Sequence, residues 1–231
     1  MASTTTSADA RGFEPATRVQ ESFLAAGEKR TLVWMALHTP ACINSDHLTL
    51  LGFLAQCLAG ICYVWAKPHP YALLLGVACL GLNWLGDSLD GTLARVRNRQ
   101  RPRYGFYVDH ITDTIAAFFL MGGLALSGYI HPAIAIGMLV AFLMLSIEAY
   151  LATYTIGEFR LSYWKFGPTE IRLLLAIGNV ALLRHTVIVV FGWRVRLFDL
   201  GGAIAILGMS LMLIVSTVRN VLRLYREERM A

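Results

Sequence analysis

Charged residues are scarce in this sequence. Asp, Glu, Lys and Arg together make up 15% of the 231 residues, whereas 56% of the residues are hydrophobic and the mean hydropathy is +0.56. This balance excludes an ordinary water-soluble domain, in which about 25% of the residues are charged. An apolar run of about 20 residues is long enough to cross a bilayer as a helix. The composition therefore predicts an integral membrane protein.

Cysteine is also rare. The four cysteines, Cys42, Cys57, Cys62 and Cys79, show no CxxC spacing, and most of them lie inside apolar runs. This pattern favours neither a zinc site nor a disulfide framework, so we interpret them as small core residues. A cleavable signal peptide is not visible, because residues 1–12 are polar and rich in Ser and Thr. We therefore expect the first spanning helix to direct membrane insertion.

Six apolar segments are long enough to span a bilayer. They lie at residues 48–66, 71–94, 109–130, 132–156, 171–192 and 197–218. We predict an all-α integral membrane fold, in which six transmembrane helices form the functional domain at residues 44–218. The expected flanking segments are a disordered tail at 1–12, an amphipathic helix in the membrane interface at 13–38 and a basic cytoplasmic tail at 219–231.

The basic residues are distributed unevenly. The net charge is +5, but the Arg and Lys residues gather in loops and tails on one predicted side of the membrane. Five arginines lie between residues 95 and 103, and four more follow residue 218. The positive-inside rule places this side in the cytoplasm, and Arg194 and Arg196 are the exception. The distribution thus indicates membrane topology, and we expect no nucleic-acid partner.

Four aspartates lie near the ends of the second and third predicted spans. Asp87 and Asp90 are i and i+3 on one helix, and Asp109 and Asp113 are i and i+4 on the next, so each pair shares a helical face. The loop between these helices is short. We therefore expect the helices to be antiparallel neighbours whose acidic ends meet. Carboxylates beside a membrane are costly without partners, and a functional site is the default interpretation.

Oxygen ligands without His or Cys select a hard divalent cation, so Mg2+ or Mn2+ is expected, and two ions can flank a phosphorus centre. One aspartate left partly free could take the proton from an attacking hydroxyl. Beside the acids, Gly91 and Ala94 leave the helix surface nearly bare, which lets a ligand approach the backbone. Arg95, one turn beyond Asp90, either binds phosphate or pairs with an acid.

A second polar group lies on the same predicted side. It consists of Glu148, Glu158, Lys165, Glu170 and Arg172. Each glutamate either caps a helix, pairs with a nearby cation or contacts an acceptor alcohol. Lys165 and Arg172 either hold a phosphorylated acceptor or extend their charges to the membrane interface. His110 either contacts substrate or donates a hydrogen bond to a neighbouring residue.

The acidic residues form a pattern that resembles a known signature. Asp87-x2-Asp90-Gly91-x2-Ala94-Arg95, followed by Gly105-x3-Asp109-x3-Asp113, is similar to the signature of the CDP-alcohol phosphotransferase (CDP-alcohol phosphatidyltransferase) family. These are integral membrane enzymes of phospholipid biosynthesis. The resemblance implies that an alcohol hydroxyl attacks the β-phosphorus of a CDP-alcohol and that CMP is released. It also implies a homodimer.

The resemblance implies roles for individual residues. The implied metal ligands are Asp87, Asp90, Asp109 and Asp113, and Asp113 would also be the general base. The residues implied to face the CDP group are Thr49, Gly91, Ala94, Arg95 and Gly105. Thr49 keeps the threonine of a turn that often precedes the first span in the family, although Ser45 and Asp46 replace the Pro-Asn pair of that turn.

The sequence leaves the substrates open. A CDP-diacylglycerol donor requires a polar acceptor, whereas a CDP-choline or CDP-ethanolamine donor requires a diglyceride, so one substrate is a lipid in either case. The active site would face the cytoplasm, in a bacterial inner membrane or a eukaryotic endomembrane. The alternative is a small cation- or proton-coupled transporter that uses the acids as an ion path. Acids at helix ends and the lack of an evident internal repeat argue against it.

Overall fold

The computed structural model describes residues 17–19, 25–160 and 168–228. This part of the chain is almost entirely helical, with four short strands. The elements in order are β1 (Thr17–Val19), α1 (Ala25–His38), α2 (Ser45–Trp65), α3 (Ala72–Val96), α4 (Pro102–Ser127), α5 (Pro132–Ile156), β2 (Glu158–Arg160), α6 (Pro168–Leu182), β3 (Val187–Val190), β4 (Trp193–Arg196) and α7 (Leu197–Glu227).

Five helices in the described residues are long and apolar enough to cross a bilayer, namely α2, α3, α4, α5 and α7. The all-helical, multi-pass membrane fold predicted from the sequence is confirmed to this extent. Prolines begin two of these helices, because a proline at the first helical position needs no backbone N–H. Gly128 and Gly157 follow the ends of α4 and α5 with φ of 83° and 75°, the left-handed conformation that glycine adopts readily.

The predicted span at 171–192 has a different structure. α6 has 15 residues and is only about 22 Å long, whereas the hydrocarbon core of a bilayer is about 30 Å thick. After α6, the strands β3 and β4 form an antiparallel hairpin. The β-branched run Val187–Val190 favours a strand, and both turn residues, Phe191 and Gly192, have the positive φ of a tight hairpin turn. A sixth spanning helix is therefore not confirmed.

The N-terminal segment also differs from the expectation. The described helix is α1, Ala25–His38, and the strand Thr17–Val19 pairs in parallel with Glu158–Arg160. The rest of the predicted segment, residues 13–16 and 20–24, lies outside the described residues. α1 packs against α3, and its Leu32 and Ala36 are buried in that contact. An amphipathic helix in the membrane interface over residues 13–38 is thus not confirmed.

The two predicted tails fall partly outside the structure. α7 is longer than the predicted span at 197–218, because it continues to Glu227. The predicted basic tail at 219–231 is therefore helical over most of the part that is described. The tail expected to be disordered, at 1–12, lies outside the described residues.

α2 is the central helix of the region that carries the aspartates, and it packs along both α3 and α4. The contacts are close because glycines face backbone: a Cβ atom on Gly86 would lie 2.5 Å from the Leu48 carbonyl oxygen, and one on Gly123 would collide with the backbone of Gly60. Within the described residues α3 and α4 make almost no close backbone contact with each other. The expectation that α3 and α4 are direct neighbours is therefore wrong, because α2 lies between them. The connecting loop at 97–101 permits this separation, since five extended residues can span roughly 17 Å.

The remaining helices pack around this centre. α6 lies against α3, and its buried Asn179 accepts a hydrogen bond of 2.9 Å from the hydroxyl of Tyr63 on α2. α5 packs against α4 and α7. At the end of the bundle away from the aspartates, the backbone N–H of His131 donates to a carboxylate oxygen of Asp199 at 2.5 Å. This bond ties the start of α7 to the connection between α4 and α5.

Candidate active site

Three of the four aspartates converge in the structure. One carboxylate oxygen from each of Asp87, Asp109 and Asp113 lies within 4.8 Å of the others, and all three residues are half-buried. Asp87 is on α3, whereas Asp109 and Asp113 lie one turn apart on α4. The cluster therefore brings together acids from two helices whose backbones are separated. The convergence predicted from the spacing is present for these three residues.

Asp90 lies one turn beyond Asp87 on α3 but is not in this close group. Its Oδ2 accepts a hydrogen bond of 2.6 Å from the hydroxyl of Thr49. Its backbone carbonyl accepts one of 2.5 Å from the hydroxyl of Ser45. These two bonds fasten the first turns of α2 to α3 beside the aspartates. The role of Asp90 as a metal ligand stays a prediction.

The bare helix surface predicted at Gly91 and Ala94 adjoins a cation. A Cβ atom on Gly91 would lie 3.4 Å from a guanidinium nitrogen of Arg95, so the arginine lies over the glycine. The same guanidinium donates to the hydroxyl of Thr92 at 3.0 Å. Gly105, near the start of α4, has open space where a side chain would be. The predicted CDP-facing residues of α3 thus form a shallow surface with a positive charge beside it.

α6 brings a second cation to the aspartates. A guanidinium nitrogen of Arg172 lies 2.6 Å from Oδ2 of Asp87, and the two side chains are only 15% and 23% exposed. An ion pair with so little solvent around it is screened only weakly by salt. Glu170, two residues earlier, is buried. Arg172, one of the predicted acceptor residues, therefore contacts the aspartate cluster through Asp87.

Of the remaining predicted acceptor residues, Glu148 lies elsewhere, and the side chains of Glu158 and Lys165 are not described. Glu148 accepts hydrogen bonds from Ser216 at 2.8 Å and from Asn220 at 2.7 Å, which links α5 to α7. Glu158 is the first residue of β2, and the structure describes its backbone but not its side chain. Lys165 lies outside the described residues.

An aromatic group lies beside the aspartates on α4. His110 stacks on Phe106 with ring centroids 4.1 Å apart, and Tyr150 of α5 packs edge-on against His110 at 5.1 Å. Tyr150 was missed by the sequence analysis, because a tyrosine within an apolar run carries no signal of its partners.

Glu28 on α1 was missed as well. Its Oε1 accepts hydrogen bonds from the Trp84 indole at 2.7 Å, the Thr169 hydroxyl at 2.9 Å and the Ser88 hydroxyl at 3.3 Å. A carboxylate from the N-terminal helix therefore lies where α1, α3 and α6 meet, hydrogen-bonded to Ser88, the residue that follows Asp87. In the sequence this glutamate belongs to a mixed charged stretch, which is the usual pattern of a solvated face.

Two arginines of the basic loop hold the ends of helices together. The guanidinium of Arg97 donates to the carbonyl oxygens of Ile43 at 2.6 Å and Thr39 at 2.7 Å, in the connection between α1 and α2. Arg101 forms an ion pair with Asp46 in the first turn of α2. These arginines therefore stabilise the end of the bundle at which the aspartates lie.

The comparison with protein families covers most of the chain. The sequence model of the family described as CDP-alcohol phosphatidyltransferase matches residues 43–219, a range that contains the four aspartates and Arg172 but not α1. A search of curated proteins gave no match. Together with the five apolar helices and the carboxylate cluster, the match shows that the chain belongs to the CDP-alcohol phosphatidyltransferase family, membrane transferases of phospholipid synthesis.

Proposed function

We propose that the protein transfers the phosphorylated alcohol of a CDP-alcohol to a second alcohol in a metal-dependent reaction that releases CMP. The observation that carries this proposal is the convergence of Asp87, Asp109 and Asp113 within 4.8 Å in a chain of this family. Three carboxylates this close repel one another, so they are expected to share a cation or a proton.

The donor set fits a hard divalent cation, because it consists of carboxylate oxygens without His or Cys. Asp87, Asp109 and Asp113 would hold the metal, and Asp90 would contribute to a second ion. Mg2+ or Mn2+ bound by these residues would neutralise phosphate charge and favour an in-line arrangement of the attacking and leaving oxygens.

Asp113 is the proposed general base. Its carboxylate forms no hydrogen bond or ion pair with the other residues that the structure describes, whereas Asp87 is paired with Arg172. It is therefore available to take the proton of the attacking hydroxyl. The hydroxyl oxygen forms a bond to the β-phosphorus as the bond from that phosphorus to the bridging oxygen breaks. CMP leaves with the bridging oxygen and its electron pair.

The surface at Gly91 is the proposed seat of the CDP group. Arg95 would hold a phosphate there by charge-assisted hydrogen bonds. Ala94 and Gly105 would leave room for the nucleotide, and Thr49 would keep the Asp90 carboxylate in position through its 2.6 Å hydrogen bond.

Arg172 is the proposed acceptor-binding residue. Because its guanidinium contacts Asp87, an acceptor held by Arg172 would lie at the carboxylate cluster. A guanidinium binds phosphate well, so this placement favours a phosphorylated polyol as acceptor and CDP-diacylglycerol as donor. Glu148, which is bound to α7, is proposed to stabilise the fold instead of binding the acceptor.

The proposed orientation follows from charge. The arginine-rich connection between α3 and α4 lies at the end of the bundle nearer the aspartates, so we place this end in the cytoplasm. We also propose a homodimer, as the family resemblance implies. Light scattering of the purified protein in detergent tests the dimer directly.

Release of CMP by purified protein tests the proposed reaction. CDP-diacylglycerol is offered with glycerol phosphate or inositol phosphate, and CDP-choline or CDP-ethanolamine is offered with diglyceride. We expect release with CDP-diacylglycerol and one phosphorylated polyol, loss of activity with EDTA, and recovery with Mg2+ or Mn2+. CMP release only with diglyceride would contradict the acceptor assignment. If no pair of substrates released CMP and proteoliposomes containing the protein took up cations, the proposal that the protein is an enzyme would be contradicted.

A further inference from the structure

The N-terminal helix contributes a partly buried carboxylate to the neighbourhood of the site, although this helix lies outside the range that matches the family. α1 ends at His38, and the match begins at residue 43. Glu28 of α1 nevertheless accepts hydrogen bonds from Trp84 and Ser88 on α3 and from Thr169 on α6. The hydrogen bonds of Glu28 therefore connect α3 and α6 through a residue that lies outside the matched region.

The carboxylate of Glu28 is costly to bury. All three hydrogen bonds go to Oε1, whereas Oε2 is buried and has no hydrogen-bond partner among the described residues. A buried charged oxygen without a partner costs free energy, because it has lost its water. A stabilising role alone is thus a poor explanation for the presence of Glu28. A better explanation is that its hydrogen bonds fix the positions of α3 and α6 relative to each other.

The two helices that Glu28 joins carry the ion pair at the site. Ser88 directly follows Asp87 on α3, and Thr169 lies three residues before Arg172 on α6, about one helical turn away. The Glu28 hydrogen bonds therefore fix α6 relative to α3 within one turn of the pair between Arg172 and Asp87. A shift of α6 would move the Arg172 guanidinium away from the aspartates.

We propose that Glu28 is a positioning residue that holds Arg172 against Asp87 and thereby sets the affinity for the acceptor. This inference rests on the proposed acceptor-binding role of Arg172. Glu28 does not contact the reacting atoms. Its removal is therefore expected to weaken acceptor binding and to leave CDP-alcohol binding unchanged.

Steady-state kinetics of Glu28→Ala, Glu28→Gln and Thr169→Ala test this role, with Glu227→Gln on the exposed end of α7 as a control. We expect Glu28→Ala to raise the KM for the phosphorylated acceptor by about tenfold, the size of one lost hydrogen bond to a charged group. Thr169→Ala should raise it by less, and Glu28→Gln should recover most of the affinity because its amide oxygen still accepts. An equal rise in the KM values for donor and acceptor would overturn the proposal.

A double-mutant cycle tests whether Glu28 acts through Arg172. In an Arg172→Ala background, Glu28→Ala should cause no further rise in the acceptor KM. If the two substitutions instead raised the acceptor KM independently, so that their factors multiplied, the proposed role of Glu28 would be overturned and that of Arg172 would stand. An unchanged acceptor KM in Arg172→Ala alone would overturn the acceptor assignment itself, and the Glu28 role with it.

Hydrogen exchange provides a readout that needs no turnover. Amides in the first two turns of α6 should exchange faster in Glu28→Ala than in the unmodified protein, whereas amides of α7 should be unaffected. Unchanged exchange in α6 would overturn the proposal even if the acceptor were still unidentified.

Discussion

The helices α2, α3 and α4 differ from α5 and α7 in how much of their surface lies inside the protein. Over the most apolar window of each helix, 39%, 39% and 33% of the residues of α2, α3 and α4 are buried, compared with 11% in both α5 and α7. All five helices are apolar enough to span a bilayer. Hydropathy alone therefore does not distinguish a helix that packs closely on others from one that mostly faces lipid.

The two regions also differ in what their glycines contact. Gly60 and Gly123 bring the backbones of α2 and α4 together, whereas Gly202 of α7 faces the side chains of Ile134 and Met138 on α5. Backbone cannot move aside, but a side chain can adopt another rotamer. The rigid contacts thus occur in the helices that carry the aspartates, whose carboxylates would need fixed separations to hold the proposed metal.

The largest expected effect is the loss of the folded protein in Gly123→Leu. A side chain at this position would collide with the backbone of Gly60, and α2 and α4 would have to separate. Gly122→Leu is the matched control, because a Cβ atom there meets nothing within 4 Å. Size-exclusion chromatography in detergent should show aggregation of the first variant and a normal peak for the second. Equal behaviour of the two variants would contradict the close packing of α2 and α4.

The next largest effect is expected at the proposed base. Asp113→Asn keeps the size of the side chain but does not accept the proton, so CMP release should fall by about 10²- to 10⁴-fold. Binding of the CDP-alcohol should remain measurable by calorimetry. Asp199→Asn, at the opposite end of the bundle, is the control, since its amide oxygen can still accept from the His131 N–H. Turnover above a tenth of normal in Asp113→Asn would exclude it as the base.

The sequence was sufficient to predict most of the fold because five of its apolar runs are both long and uninterrupted. It was not sufficient for the segment at 171–192, where hydropathy is also high. Periodicity does not separate a short buried helix from a strand in such a segment, and Phe191 and Gly192 are not a typical turn pair. The short loop between α3 and α4 was also misleading, because it permits a third helix to lie between them.

The candidate site was predictable where it depends on local spacing. Asp109 and Asp113 share a face of α4 by periodicity alone, and the signature linked them to Asp87. The contacts of Arg172 and Glu28 are between residues far apart in sequence, 85 positions for Arg172 with Asp87 and 141 for Thr169 with Glu28. No pattern within a single helix carries that information, so these partners required the packed structure.

A moderate effect is expected from Glu148→Ala, which removes a link between the loosely packed helices α5 and α7. The carboxylate accepts hydrogen bonds from Ser216 and Asn220, and such bonds between membrane helices contribute about 0.6 kcal/mol each on average. We expect a loss of about 1 to 2 kcal/mol in the free energy of unfolding and a lower Tm. Glu148→Gln should lose less, because its amide oxygen can still accept. The same Tm for the protein and Glu148→Ala would mean that this network does not hold α7.

The smallest effect is expected from Gly202→Ala. The added Cβ atom would lie 2.6 Å from a methyl carbon of Ile134, which is too close unless that side chain moves. Because a rotation of Ile134 by roughly 30° about χ1 costs only about 1 kcal/mol, α5 and α7 need not separate. Gly86→Ala places the same atom 2.5 Å from backbone atoms of α2, where no rotamer change can relieve it. Thermal unfolding in detergent should therefore show a clearly larger loss of Tm for Gly86→Ala. Equal losses of Tm would mean that the contacts of α7 are as rigid as those around the aspartates. The two regions would then differ only in the fraction of helix surface that is buried.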